Sequence, residues 1–353
     1  MSVSVFEHPY LSGLLGDAEI ADLFSVTTEV DAMLAFEAAL ARAEADLGLI
    51  PVSAAEHIAT VCGSFVPDID ALRAGTARDG VVVPDLVRQL RDAVGPEAGA
   101  HVHFGATSQD VIDTALMLRL KQGCLLLIGR LSVLEARLND GDQEFGERRL
   151  MGHTRMQAAL PIKVSDRISA WRDPLVRHRQ RLESFAADGF AVQFGGAVGT
   201  LEKLSTKAAA IRLALAAELS LSDAPQWQSQ RDRLVEFSGI LAMISGSLGK
   251  IGQDIALLAQ MGGEIALAGG GASSTMAHKQ NPVAAEALVA IGRFNAVQAS
   301  GMQQAMIHEQ ERSGAAWTLE WMILPGMVMA TGAGLRLALE LVGNIRSIGR
   351  DGD

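Results

Sequence analysis

The sequence predicts an all-α protein, a bundle of long helices preceded by a smaller N-terminal helical domain. Three observations carry that expectation. Alanine and leucine recur through almost every segment, β-branched alternation is nearly absent, and apolar residues repeat at helical spacing over long runs. Aromatic residues make up only 5 %, with one tyrosine, which removes the other common strand formers. With 49 % hydrophobic and 20 % charged residues over 353 positions, the chain can bury a large core, and global disorder is excluded.

The first clear helix is expected from Thr28 to Leu47. Thr28 can cap it, Asp31 lies near its positive end, and Gly48 stops it. Val30, Met33, Leu34, Leu40 and Leu47 form its apolar stripe. Shorter helices are expected at 52–62, 67–78 and 84–94, and Gly95, Pro96 and Gly99 then mark a break. A long periodic run from Ser108 to Leu138 is ended, on this reading, by Asn139, Asp140 and Gly141. Further helices are expected at 161–188, 201–219, 230–262, 282–312 and 317–343, with Pro174 kinking the first of these near Trp171. Gly246, Gly249 and Gly252 weaken the 230–262 helix but would let a neighbouring backbone approach closely. The boundaries expected are an N-terminal helical domain at 1–103, the bundle at 104–343 and a short tail at 344–353.

Charge and cysteine content exclude several classes. Thirty basic against 41 acidic residues give a net charge of −11, which disfavours nucleic acid or an anionic membrane as partner. Cys62 and Cys124 have no Cys-x-x-Cys partner, so neither a zinc ribbon nor a disulfide scaffold is expected, and both thiols read as reduced and inert. The N-terminus shows no basic run followed by an apolar core and cleavage site, and Pro325 with several glycines interrupts the apolar run at 323–335. A cytoplasmic protein without membrane spans is therefore expected.

Three polar interruptions between the helices look chemical. In HVHFGATSQD (101–110), Thr107 or Ser108 can cap the following helix. That leaves His101, His103, Gln109 and Asp110 unexplained, and amides at a helix start favour a bound anion. Asp110 is expected to orient its neighbours rather than touch an anionic ligand. In GHTRMQAALP (152–161), an irregular approach to a helix begun by Pro161, His153, Thr154, Arg155 and Gln157 offer cations and hydrogen-bonding groups. In GGGASSTMAHKQNP (269–282), glycines precede Ser273, Ser274, His278, Lys279 and Asn281. The spacing there is not that of a phosphate-binding loop or a nucleophile elbow. No dinucleotide fingerprint follows a predicted strand, and His101 and His103 lack the further ligands of a metal site. A cofactor-free enzyme, with no metal, is expected.

These segments, in this order, resemble the fumarase/aspartase superfamily. SSTMAHKQNP is similar to its serine-rich signature, and GATSQD followed by VIDTAL resembles the branch holding adenylosuccinate lyase and the bacterial 3-carboxy-cis,cis-muconate cycloisomerases. YLSGLLGDAEIADLF (10–24), AMLAFEAALARAEADLGLIP (32–51), VQFGGAVGTLEKL (192–204) and EQERSGAAWTLEW (309–321) resemble the cycloisomerases more specifically. The resemblance implies a homotetramer whose active sites each gather the three regions from different subunits. It also implies a third, smaller helical domain, which is absent or shortened in a chain ending in NIRSIGRDGD.

The activity implied is lactonisation of 3-carboxy-cis,cis-muconate or a 3-substituted analogue such as 3-sulfomuconate, in aromatic-compound degradation. The substrate is a small di- or trianion. By resemblance Ser273 carries the proton, Thr107, Ser108, Gln109, Thr154, Lys279 and Asn281 hold substrate oxygens, and His103 and His153 assist. Two departures stand out. Arg155 occupies the place where most superfamily lyases carry a histidine, and it is a poor proton carrier but a good carboxylate clamp. Ala277 and Gln280 stand where Pro and a basic residue are common. An adenylosuccinate lyase-like elimination enzyme and a catalytically silent helical scaffold are the alternatives.

Overall fold

A computed structural model describes residues 4–272, 276 and 280–351. Seven short or medium helices come first: α1 (Ser12–Leu15), α2 (Ala18–Leu23), α3 (Val26–Asp46), α4 (Val52–Cys62), α5 (Ile69–Asp79), α6 (Val83–Val94) and α7 (Pro96–Gly99). The α3 cap is Ser25, not Thr28. Ser25 has extended backbone angles and its hydroxyl accepts the Thr28 N–H at 3.2 Å, so the helix starts two residues ahead of the expected cap. It ends near the expected place, at Gly48 with φ +68°. Cys62 and Cys124 are free and buried, and desolvation pushes both thiols up to about 12, which leaves them unreactive.

Five helices of 23 to 38 residues form the bundle: α8 (Ser108–Phe145), α9 (Val164–Asp188), then, after the short α10 (Ala208–Glu218), α11 (Asp232–Met261), α12 (Val283–Ala305) and α13 (Ala315–Gly343). At 1.5 Å per residue α8 spans about 57 Å. It runs through Asn139, Asp140 and Gly141, where the sequence predicted a stop. Leu138 and Phe145 are buried on either side of these residues, and packing against α9 outweighs their poor helix propensity. Helix α9 likewise continues through Pro174. The expected close approach within the bundle is present, since a Cβ on Gly252 would lie 2.4 Å from the Ala285 carbonyl and one on Gly292 2.9 Å from that of Ser245.

The expected helix at 161–188 begins with a strand instead. β1 (Arg149–Thr154) and β2 (Gln157–Lys163) form an antiparallel hairpin in which Pro161 faces Met151. Arg155 and Met156, both at positive φ, make its two-residue turn. Pro161 lacks an N–H but is tolerated because a two-stranded hairpin has open edges. The expected helix at 201–219 divides into a 3-10 turn, Glu202–Lys207, and α10, and the one at 282–312 stops at Ala305. The remaining strands are β3 (Ile265–Leu267), β4 (Gly271–Ala272), β5 (Gln280–Asn281) and β6 (Ile345–Ile348).

The tail after α13 is an ordered strap. β6 pairs antiparallel with β3, the Ala268 N–H donates to the Asn344 carbonyl at 2.7 Å, and the Gly349 N–H donates to that of Glu264 at 2.9 Å. One residue on, Arg149 and Arg350 exchange both backbone hydrogen bonds, at 3.0 and 2.8 Å. The strap thus ties the foot of the hairpin to the strand that leads into the glycine-rich segment at 269–271. It passes so close that a Cβ on Gly349, at φ +77°, would lie 2.6 Å from Val164 and 3.0 Å from the Arg149 carbonyl.

Contrary to the expectation from Pro325, two helices are long and apolar enough to cross a membrane, Asp232–Met261 and Ala315–Gly343. Within the fold, 61 % and 72 % of their most apolar windows are buried, so that surface forms the bundle core.

Two predictions follow from this packing. Gly349→Val should destabilise the chain by about 2 kcal/mol, read from urea denaturation, because the left-handed backbone and the close neighbours both oppose a side chain. A variant as stable as wild type would mean that the strap contributes nothing. Glu44 on α3 is fully buried, and neither carboxylate oxygen has a partner among the described residues. Burial, reinforced by the charge of Glu37, raises its pKa to about 9. The folded state therefore keeps a proton that the unfolded chain releases near 4.5. Stability should be full below that pH and fall as pH rises toward 9, by up to about 1.4 kcal/mol per unit. Denaturation at pH 5 and pH 8 should show Glu44→Gln losing this slope, and equal slopes in the two proteins would contradict the assignment.

Candidate active site

The first polar interruption is held by its own helix start. Thr107 is the N-cap of α8, and its N–H donates to Asp110 Oδ2 at 3.0 Å. Asp110 is completely buried and accepts three further bonds, from Gln193 Nε2 at 3.0 Å and from the Gly195 and Gly196 N–H groups at 2.9 Å each. Burial raises its pKa to about 6 despite these four donors. Its role is positional, pinning the loop at 193–196 against the start of α8. Gln193 extends the link by accepting the Trp227 N–H at 2.7 Å and by exchanging bonds with Thr114.

Below this turn lies a buried ionic knot. Arg231, on the loop entering α11, donates to both oxygens of Asp113 at 2.6 and 3.1 Å and to both oxygens of Glu320 on α13 at 2.8 and 2.6 Å. All three side chains are at most 1 % exposed. Trp317 Nε1 donates to Asp113 at 3.1 Å, and His308 Nε2 lies 3.3 Å from Glu320. Burial opposes the charges of Arg231 and Glu320, but Asp113 and Glu320 together hold the Arg231 guanidinium charged, and Arg231 keeps Glu320 below the usual carboxylate range. Gln109 joins this interior: it is fully buried, and its amide donates to Asp113 at 3.1 Å and to the Gln228 carbonyl at 2.8 Å. Both its N–H bonds are thus directed into the protein, while its Oε1 is buried without a partner among the described residues.

Arg312, in the loop before α13, lies over the turn. It donates to Thr107 Oγ1 and to the Ala197 carbonyl, both at 3.1 Å. With Ser108, Ser313 and Trp317 it lines an open cleft of about 620 Å³. Sequence reasoning did not single out Arg312, although it lies in the EQERSGAAWTLEW segment. A guanidinium and a helix start at one cleft, with Thr107 Oγ1 holding the guanidinium, suit a small carboxylate. His103 lies four residues ahead of Thr107, with Nδ1 2.6 Å from Glu37 Oε1.

The other site candidates lie elsewhere in the chain. His153, Thr154 and Arg155 are exposed at the hairpin, with His153 Nδ1 3.1 Å from its own strand's Met151 carbonyl. Asn281, on β5, lines a different cavity of about 660 Å³ with Gln280, Arg336, Glu340 and Asn344. Ser273 and Lys279 lie outside the described residues, as do Ser274, Ala277 and His278. No hydrogen bond or ion pair among the described residues joins the hairpin to the first loop. Among those residues, no group of three histidine, cysteine or acidic side chains is placed to hold a metal ion.

A family model described as lyase matches residues 17–298. The chain belongs to the fumarase/aspartase superfamily of lyases, as an enzyme of the intramolecular lyase type. Among its curated relatives are 3-carboxy-cis,cis-muconate cycloisomerases. The protein from Pseudomonas aeruginosa is 39 % identical over 92 % of this chain and 72 % of its own length, and that from Pseudomonas putida 39 % identical over 90 % and 77 %. The 3-carboxy-cis,cis-muconate lactonizing enzyme structure from Pseudomonas putida superposes with a TM-score of 0.90 at 36 % identity, covering 96 % of this chain and 77 % of that one. A fumarate lyase structure from Mesorhizobium sp. BNC1 gives 0.87 at 33 % identity, with coverages of 94 % and 76 %.

The knot yields a sharp prediction. Arg231→Met should destabilise the chain by about 3–5 kcal/mol in urea denaturation, because two buried carboxylates lose their counter-charge. A loss below about 1 kcal/mol would show that the knot does not carry the fold.

Proposed function

We propose that this chain is a cofactor-free cycloisomerase that converts 3-carboxy-cis,cis-muconate, or a 3-substituted analogue such as 3-sulfomuconate, to the corresponding muconolactone in aromatic-compound degradation. The observation that carries the proposal is the Arg312 contact. It ties the segments at 107–110, 192–204 and 309–321 together through Thr107 and Ala197, beside a cleft lined by Ser108 and Arg312, and two of these segments resemble cycloisomerases. The kinship with enzymes of that name supports the same substrate class.

The reaction asks little of a general base. One substrate carboxylate, ionised at neutral pH, attacks a carbon of the conjugated diene and closes a five-membered lactone. The displaced electron pair spreads toward a second carboxylate as an enolate, and a proton must then reach the enolate carbon. Ser273 delivers that proton, its alkoxide is stabilised by Lys279 and neighbouring backbone amides, and a proton from water then restores the hydroxyl. Thr107, Ser108 and Arg312 hold one substrate carboxylate, while Thr154, Lys279 and Asn281 hold other oxygens. Arg155 takes the 3-substituent, and His153 assists the proton transfer or orients the ligand.

In a single chain Thr107, Ser108 and Arg312 lie apart from the hairpin groups, with no hydrogen bond or ion pair between them among the described residues. The second strand of the hairpin is exposed almost throughout, with Leu160 73 % exposed, as is Met156 in the turn before it. A homotetramer in which the hairpin of one other copy and the serine loop of another close on the 620 Å³ cleft accounts for that arrangement. A cytoplasmic location fits this chemistry.

An ultraviolet assay with 3-carboxy-cis,cis-muconate and its 3-sulfo analogue tests the proposal. Wild type should bleach the diene absorbance of at least one, and Ser273→Ala should abolish the change. No turnover of either by a confirmed tetramer would overturn it, as would full activity in the variant.

A further inference from the structure

Glu37 lies on α3, outside the three polar segments, and the mechanism above gives it no task. Its side chain is 1 % exposed. Oε1 meets His103 Nδ1 at 2.6 Å, and Oε2 is buried without a partner among the described residues. A charged carboxylate is costly at such a place unless a counter-charge stands beside it. His103 is itself unusual, with φ +61° in a residue that is not glycine. The preceding carbonyl, that of Val102, is held by Arg91 at 3.0 Å. The backbone is thus bent so that the imidazole reaches back to α3, and with Nδ1 bound to Glu37 the Nε2 edge points away from it.

We propose that Glu37 is a positioning residue that holds His103 oriented and positively charged, so that the imidazolium serves as a substrate-carboxylate ligand beside Thr107, Ser108 and Arg312. This rests on the cycloisomerase reading above and gives His103 the part of a titratable cation. The charged groups acting on the ring agree with it. Burial favours the neutral imidazole and Arg91 on α6 repels the charge, yet Glu37 on α3 and Asp110 on α8 outweigh both and raise the His103 pKa above its ordinary value. A buried carboxylate at Nδ1 fixes the ring and favours its protonated form, so below its raised pKa His103 presents a positive Nε2–H edge.

The test compares wild type, Glu37→Gln, His103→Gln and the double variant by kcat and KM between pH 6 and 9. Glutamine at 37 keeps the shape and a hydrogen bond but removes the charge. Glu37→Gln should raise KM roughly tenfold at pH 7.5 with a smaller change in kcat. Wild-type affinity should weaken as pH rises through the raised His103 pKa, and in Glu37→Gln that weakening should set in at lower pH. The double variant should be no worse than His103→Gln, since Glu37 acts through the ring. Additive losses, or an unshifted pH profile in a folded Glu37→Gln tetramer, would overturn the proposal.

Histidine-selective 15N NMR separates this from the substrate assignment. The His103 signal, identified by its loss in His103→Gln, should titrate above 6.5 in wild type and move down in Glu37→Gln. If no muconate is turned over but this shift is seen, the substrate assignment fails and the Glu37 assignment stands. If the titration does not move, the Glu37 assignment fails whatever the activity.

Discussion

The structure depends on one buried guanidinium. Arg231 sits between Asp113 on α8 and Glu320 on α13, with Trp317, Gln109 and His308 gathered on the same carboxylates. Taking three charges out of water costs several kcal/mol for each, and only near-complete pairing offsets it. That requirement leaves little freedom in the register of α8 against α13 and of the loop that enters α11. Asp113 lies one turn below Asp110, so the same registration sets where the α8 start and its loop stand. An apolar core alone would hold the bundle together, but it would not fix the height at which Thr107 meets Arg312.

The second organising contact is made of backbone. The strap at 345–350 hydrogen-bonds to both Arg149 and the Glu264–Ala268 stretch, so the hairpin and the strand ahead of the serine-bearing segment share one support. The first polar region is anchored separately, by Asp110 and the knot. Each chain therefore anchors the segments assigned to the proposed site separately, one set around the α8 start and one around the strap. This division fits a site completed between copies better than one completed within a chain.

The sequence shows the parts of this design that are local. Apolar spacing marks the five long helices, and the Thr107–Asp110 cap is visible because its partners are three residues apart. What it conceals depends on distant partners. Arg312 and Thr107 are 205 residues apart, and Glu37 and His103 are 66 apart. The α8 stop was misplaced because Asn139, Asp140 and Gly141 are poor helix formers whose cost is offset by α9. The hairpin escaped because its strands lack β-branched alternation and because Pro161 reads as a helix start.

The central claim is that the cleft at Arg312 works only when another copy brings the serine loop to it. Subunit mixing tests this most directly. Arg312→Ala and Ser273→Ala, each inactive alone, would be co-expressed or exchanged into mixed tetramers and assayed for loss of muconate absorbance. If the two residues reach one site from different chains, some mixed sites carry both intact side chains, and a measurable fraction of the wild-type rate should return. If both residues come from the same chain, every site lacks one of them. Mixed tetramers with no recovered activity would contradict the account.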